Sequence, residues 1–206
     1  TLEEAERLPE TEREALRADI VQELDELTAL VADIVELARG AKPCDPVDDV
    51  RVDEIASAVV ERARARAGDR LEFSAELEPT VIRGEPARIQ RAISNLVDNA
   101  VKWSPTGGAV DVRLADGELS VRDHGPGFAD GDLPHVFERF YRARDARGMP
   151  GSGLGLAIVR QAAEAHGGAA SAANAPGGGA LMRVSFGAPA AAGADGVIIG
   201  RALYDG

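Results

Sequence analysis

Asn95-Leu96-Val97-Asp98-Asn99-Ala100-Val101-Lys102-Trp103 closes a run, 85–103, that carries two periodic patterns at once. Ile89, Ile93, Leu96, Ala100 and Trp103 fall at i, i+4, i+7, i+11 and i+14, the spacing of a buried helix face. Asn95, Asn99 and Lys102 fall at i, i+4 and i+7, forming a second stripe about 100° round the same helix. Two amides and an ammonium beside a core face suit a metal–phosphate ligand. An Asn carbonyl oxygen is a fair Mg²⁺ ligand, and Mg²⁺ takes few protein ligands while keeping waters or phosphate oxygens. Lys102 would neutralise phosphate as a point charge. The same three residues would also make an ordinary solvated flank, so this helix does not decide the matter alone.

Two glycine-containing segments lie downstream. In Val121-Arg122-Asp123-His124-Gly125-Pro126-Gly127-Phe128 a strand ends at a carboxylate and runs into glycines that let a ligand approach the backbone. A carboxylate at the bottom of a pocket accepts a hydrogen bond from an exocyclic amine such as that of adenine; a plain turn is the alternative. In Gly151-Ser152-Gly153-Leu154-Gly155-Leu156 glycines lead into a helix, whose first N–H groups and positive end favour an anion. No Gly-Lys-Ser/Thr follows, so it is not a Walker A loop. No strand precedes it, so it is not a dinucleotide fingerprint either. Between the two, Phe137-Glu138-Arg139-Phe140-Tyr141-Arg142 and the polar stretch 143–150 have the composition of a lid.

The rest of the chain frames these segments. Residues 11–39 contain no Gly or Pro, and Leu16, Ile20, Leu24, Leu27, Val31, Ile34 and Leu37 recur at three- and four-residue steps. That predicts an amphipathic helix roughly 40 Å long, with a second apolar line (Val21, Leu30, Val35) that widens the stripe towards more than one packing neighbour. Residues 2–8 read as the tail of another helix, and 41–49 as a linker. Beyond it come helices at 53–67, 85–103 and 152–166, strands at 71–77 and 80–83, and hairpins at 110–121 and 169–186. Helices with hairpins, not strict βαβ alternation, imply an α+β fold: a two-layer sandwich with a mixed, largely antiparallel sheet.

Composition removes other classes. Lys plus Arg number 23 against 35 Asp plus Glu, a net charge of −12, which argues against nucleic acid as a partner. The single Cys44 excludes a disulfide framework and a Cys-built zinc site, and three histidines speak against a His-rich metal centre. No run of 18 apolar residues occurs, so no membrane contact is expected of this segment. The chain opens on Thr1 and reads as a piece of a longer protein.

Taken in order, Asn95-x-x-x-Asn99-Ala-x-Lys102, Asp123-x-Gly125-x-Gly127, Phe137-Glu-Arg139-Phe140 and Gly151-x-Gly153-x-Gly155 closely resemble the N, G1, F and G2 boxes of sensor histidine kinases. That ATPase superfamily is shared with gyrase B, the heat-shock chaperone ATPase and MutL. Leu24-Asp25-Glu26-Leu27 and Lys102-Trp103-Ser104-Pro105 are most similar to actinobacterial membrane-bound kinases of the MprB type. The resemblance implies four regions. Residues 1–40 would be the C-terminal part of a dimerisation and histidine-phosphotransfer hairpin, 41–48 a linker, 49–187 the ATP-binding catalytic domain, and 188–206 a tail of uncertain origin. It implies ATP and Mg²⁺ as cofactors. It also implies a cognate response regulator as partner, a homodimer in the full-length protein, and a cytoplasmic position beneath an inner membrane. Asn99 would ligate Mg²⁺ with Asn95 in support, Lys102 would contact phosphate and Trp103 would lie near the nucleotide. Asp123 would receive the adenine amine, with Gly125 and Gly127 giving the base room. Arg139 and Arg142 are alternative lid-side phosphate contacts, and Gly151, Gly153, Leu154 and Gly155 would bring backbone N–H groups to the phosphates.

Two features depart from that family. The phosphoacceptor motif is absent, since His124, His135 and His166 all lie outside the hairpin region; this chain is therefore expected to bind Mg–ATP without phosphorylating itself on histidine. Residues 193–204 resemble the last strand–loop–helix phosphate site of phosphoribosyl isomerase barrels, of which one eighth cannot close. Two other functions compete: a serine kinase of the anti-sigma type, against which the long first helix speaks, and a nucleotide-sensing or dimerisation module without phosphoryl transfer.

Overall fold

The computed structural model describes residues 10–40, 48–143 and 151–188. The leading helix at 2–8, the linker at 41–47, the lid segment 144–150 and the tail from 189 onward lie outside the described residues.

Strand alternation builds one apolar face. In β4 (Gly108–Ala115), β5 (Glu118–Asp123) and β7 (Ala180–Ser185), Val110, Val112, Leu114, Leu119, Val121, Met182 and Val184 are buried, while Arg113, Ser120 and Arg183 alternate to the other side. The register sets Val112 against Val121, Val121 against Met182, and Met182 against Ala172 of β6 (Ala170–Asn174). β2 (Leu71–Leu77) lies parallel to β4, and the five-stranded order is β2-β4-β5-β7-β6. One parallel pair in an otherwise antiparallel sheet requires a long crossover. That connection carries β3 (Val81–Gly84) and α3 (Pro86–Trp103). The β4–β5 hairpin closes on Asp116 and Gly117, both at positive φ (53° and 76°), the pairing a two-residue primed turn requires.

α2 (Val52–Ala67), α3 and α4 (Gly155–Ala165) pack over the apolar face. Ile89, Ile93, Leu96 and Ala100 sit in the core as their spacing predicts, each large side chain contributing about 2 kcal/mol by burial. Trp103, expected on that face, is only half-buried and turns towards a cavity instead. Arg88, in contrast, is buried at 5% exposure. Asp48 and Asp49, read as linker, open a short strand β1 (Asp48–Arg51) that pairs antiparallel with β3. Four residues with one buried side chain, Val50, give no periodicity to read.

α1 (Glu10–Arg39) is the long helix expected at 11–39. Its stripe, however, is exposed from Leu16 to Val35, and only Leu37, with Leu30 beside it, joins a buried cluster. Among the described residues the arm touches the rest of the fold through its last turns, on α3 and α4.

Candidate functional site

A cavity of about 520 Å³ opens where α3, the end of β5 and the start of α4 converge. Asn95, Asn99, Lys102 and Trp103 line it from α3, Asp123 and Gly127 from the end of β5, Arg142 from the lid side, and Gly151, Gly153 and Gly155 from the loop into α4. Residues up to sixty positions apart in sequence thus share one wall.

Strand geometry explains Asp123. The alternation that buries Leu119 and Val121 turns the next alternate side chain inward as well, leaving a carboxylate at 2% exposure where the strand ends. Its Oδ1 accepts N–H bonds from Gly125 at 2.9 Å and Ala180 at 3.0 Å. Two donors on one oxygen offset the desolvation of the charge and fix the plane of the group.

The cationic side is built by Lys102 and Arg142. Burial, and then the neighbouring Arg142 guanidinium, hold the Lys102 ammonium below its ordinary pKa. A Cβ at Gly151 would lie 3.1 Å from Lys102 Nζ, so the ammonium rests over that glycine. Gly155 faces Asn95 in the same way, its Cβ position 3.5 Å from the Asn95 amide oxygen. The Asn95 amide nitrogen is buried with no hydrogen-bond partner. Tyr141 donates its hydroxyl to Asp132 at 2.6 Å, which raises the phenol's pKa and ties the lid side to the 130s loop.

Three expected residues are placed elsewhere. Gly125 does not line the cavity: its missing Cβ makes room for the Trp103 carbonyl, which a Cβ would meet at 2.4 Å. The glycine lets the strand end pack closely on α3, and a Cβ there would also stand 3.1 Å from Asp123 Oδ1. Arg139 points to α4, donating to Gln161 Oε1 at 3.4 Å, and leaves the cavity to Arg142. Leu154 is fully buried against Leu37, Ala157 and Ile158, and its N–H already donates to Ser152 Oγ at 3.2 Å. Apolar packing has claimed the side chain and a local turn the amide.

Other lining residues were not anticipated, notably Asp33 on α1, Asp132 and Ala180. Gly179 was also missed: at φ 85°, a Cβ there would stand 1.9 Å from the Asp123 carbonyl oxygen. The run Gly177-Gly178-Gly179 was legible only as a turn, because what it closes upon lies on another strand. The histidines hold structural or surface positions. His166 Nδ1 bonds the Ala162 carbonyl and its Nε2 receives the Glu85 N–H, while His124 and His135 meet Asp111 and Glu138 at the surface.

The chain is similar in sequence and in fold to known proteins. The family model described as "Histidine kinase-, DNA gyrase B-, and HSP90-like ATPase" matches residues 84–190. The chain is 46% identical over 170 residues to the signal transduction histidine-protein kinase/phosphatase MprB of Mycobacterium sp. (strain KMS), covering 80% of this chain and 33% of that protein. It therefore spans about a third of the length of the curated relatives it matches. A mycobacterial sensor histidine kinase MprB structure superposes with a TM-score of 0.63 at 40% identity, over 69% of this chain and 97% of that one. Full-length ShkA in complex with AMPPNP gives a TM-score of 0.65 at 27% identity, over 88% and 40%. The ordered boxes, the mixed sheet under three helices and these matches lead to one statement: the chain belongs to the family of histidine kinase-, DNA gyrase B- and HSP90-like ATPases, within its histidine kinase branch.

Proposed function

We propose that this chain is the Mg–ATP-binding catalytic module of a two-component sensor kinase, passing the γ-phosphoryl group of ATP to a histidine and thence to a response regulator aspartate. The observation that carries the reading is the convergence of Asp123, the Asn95–Asn99–Lys102 stripe and the Gly151–Gly155 loop on one cavity. ShkA, alike in fold, is a complex with an ATP analogue, which favours the same ligand here. Asp123, its Oδ1 already held by two N–H groups, would accept the adenine amine. Trp103 would lie beside the nucleotide. Lys102 and Arg142 would hold the phosphates, with backbone N–H groups of the Gly151–Gly155 loop at the start of α4.

The residues fit a magnesium ion carried in with the phosphates. Among the described residues no group of three His, Cys, Asp or Glu forms a protein-built cage. Asn95 and Asn99 both line the cavity, each carries an amide oxygen of the kind magnesium accepts, and the buried Asn95 amide nitrogen has no hydrogen-bond partner. Asn99 would be the ligand and Asn95 its support. Magnesium held there would neutralise negative charge on the phosphates. The protein's share of the work is positioning and electrostatics, because phosphoryl transfer asks little covalent chemistry of it.

By family, the full-length protein would be a homodimeric inner-membrane sensor, with residues 1–40 as part of its hairpin and 49–187 as its catalytic domain. A serine-kinase reading is disfavoured by α1, whose 30 residues suit a hairpin. Incubating the chain with Mg–ATP and a separate hairpin that bears a phosphoacceptor histidine tests the proposal. Acid-labile phosphate on the added hairpin is the expected result; nucleotide binding without transfer would reduce the chain to a sensing module.

A further inference from the structure

The last turns of α1 form part of the pocket wall. Asp33 lines the cavity together with Asn95, and its carboxylate is paired with Arg91. Arg91, Asn95 and Asn99 succeed one another at four-residue steps on α3, so this ion pair sits one turn from the amides. Two further pins hold the arm in place. Arg88 Nε donates to Glu36 Oε1 at 2.6 Å, and Gln161 Nε2 donates to the Glu36 carbonyl at 2.7 Å. Leu37 packs on Leu154 and Ile158, and Leu154 stands between Gly153 and Gly155. The arm and the glycine loop therefore share a side chain.

Other carboxylates line the cavity, but they belong to the domain: Asp98 is paired with Arg66 and Asp132 accepts the Tyr141 hydroxyl. Asp33 alone among these arrives on the arm, and departs with it. A polyphosphate entering beside Asn95 would repel the Asp33 carboxylate, which lines the same cavity. A loop that shifts to receive phosphate would also pull Leu154 from Leu37.

We propose that α1 is a charge-bearing cover on the amide end of the pocket: docked, it sets Asp33 against polyphosphate, and polyphosphate binding lifts Asp33 and Leu37 away from α3 and α4. The inference rests on the nucleotide reading above and deepens it by making arm docking and ATP binding antagonists. Linkage requires the effect to be reciprocal: whatever factor ATP takes from docking, docking takes from ATP affinity.

The test compares the whole chain with its Asp33→Asn and Leu37→Ala variants, titrating Mg–ATP and adenosine against Trp103 fluorescence. Asp33→Asn is expected to bind Mg–ATP about threefold to tenfold tighter, with adenosine unchanged and the gain shrinking at high salt. Leu37→Ala should move in the same direction, and amide exchange over 30–39 in the wild type should quicken when Mg–ATP is added. Unchanged Mg–ATP binding by Asp33→Asn, or slower exchange in the arm, would overturn the proposal, and weaker binding would overturn it and make Asp33 a support of the ligand. If neither wild type nor variant binds nucleotide, the reading of the site falls and this inference with it. If the wild type binds and Asp33→Asn gains nothing, only the inference falls.

Discussion

Asp123 and Ala180 stand 57 positions apart in sequence, and the Ala180 N–H reaches Asp123 Oδ1 at 3.0 Å on the floor of the pocket. The bond joins the end of β5 to the start of β7, and with the Gly125 N–H it occupies one carboxylate oxygen. A side chain anchored on one oxygen presents the other in a fixed direction, which is what reading a base edge requires.

Asp123→Asn keeps that shape and both N–H bonds, because the amide oxygen accepts as the carboxylate did. Its NH₂ then meets the adenine amine donor to donor. The expected loss of ATP affinity is about tenfold or more with little change in melting temperature. Inosine triphosphate, with an acceptor at that position, should lose less; titrating both nucleotides checks the order.

Lys102 sets a pH limit. Its ammonium form is held below the ordinary value of 10.5 by burial and by Arg142. Phosphate would favour the charged form, so affinity is fully present below the depressed pKa and is lost as pH rises through it. The decline should come at lower pH than for an exposed lysine. In Lys102→Arg, whose guanidinium stays charged, the alkaline decline should vanish. A pH series of ATP titrations on both proteins reads this out.

The pair Arg88–Glu36 is almost fully enclosed, with side-chain exposures of 5% and 11%. Removing Glu36 takes away the arm's charged anchor and leaves the buried Arg88 guanidinium to Glu85, 3.6 Å away, and the Gly40 carbonyl. Glu36→Ala is therefore expected to free α1, making it sensitive to protease near residues 30–40. A loss of up to about 3 kcal/mol should appear in the arm's docking and little of it in the domain's own unfolding. Limited proteolysis beside thermal melting separates the two.

None of the three histidines lines the cavity. His166 uses both ring nitrogens on backbone partners, and His124 and His135 sit on surface carboxylates. Mg–ATP alone should leave no acid-labile, base-stable phosphate on this chain, as mass spectrometry under alkaline conditions would show.

How much of this was readable in advance varies with the distance over which each feature is decided. The core face of α3 and the burial of alternate β4 and β5 side chains follow from local period, and so were legible. The convergence of the Asn stripe, Asp123 and the glycine loop was legible only through their order, since each segment alone also fits a flank or a turn. Gly125 and Gly179 resist any sequence reading because each is required by a backbone on another element, the Trp103 carbonyl and the Asp123 carbonyl. Arg88 sits amid apolar residues with no pattern announcing that Glu36, 52 positions earlier, closes over it. Asp33 is one acid among many on an acidic helix, and docking alone makes it a pocket residue.

The central claim is that one cavity holds Mg–ATP through Asp123 and the Asn95–Asn99–Lys102 stripe. The chain has a single tryptophan, Trp103, on the wall of that cavity, so its fluorescence on titration with ATP, with and without magnesium, tests it most directly. The account predicts a saturable change in the wild type that weakens without magnesium, with Asn99→Ala losing the magnesium dependence and Asp123→Ala losing most of the binding. No saturable change in the wild type, or full Mg–ATP binding by Asp123→Ala, would contradict it.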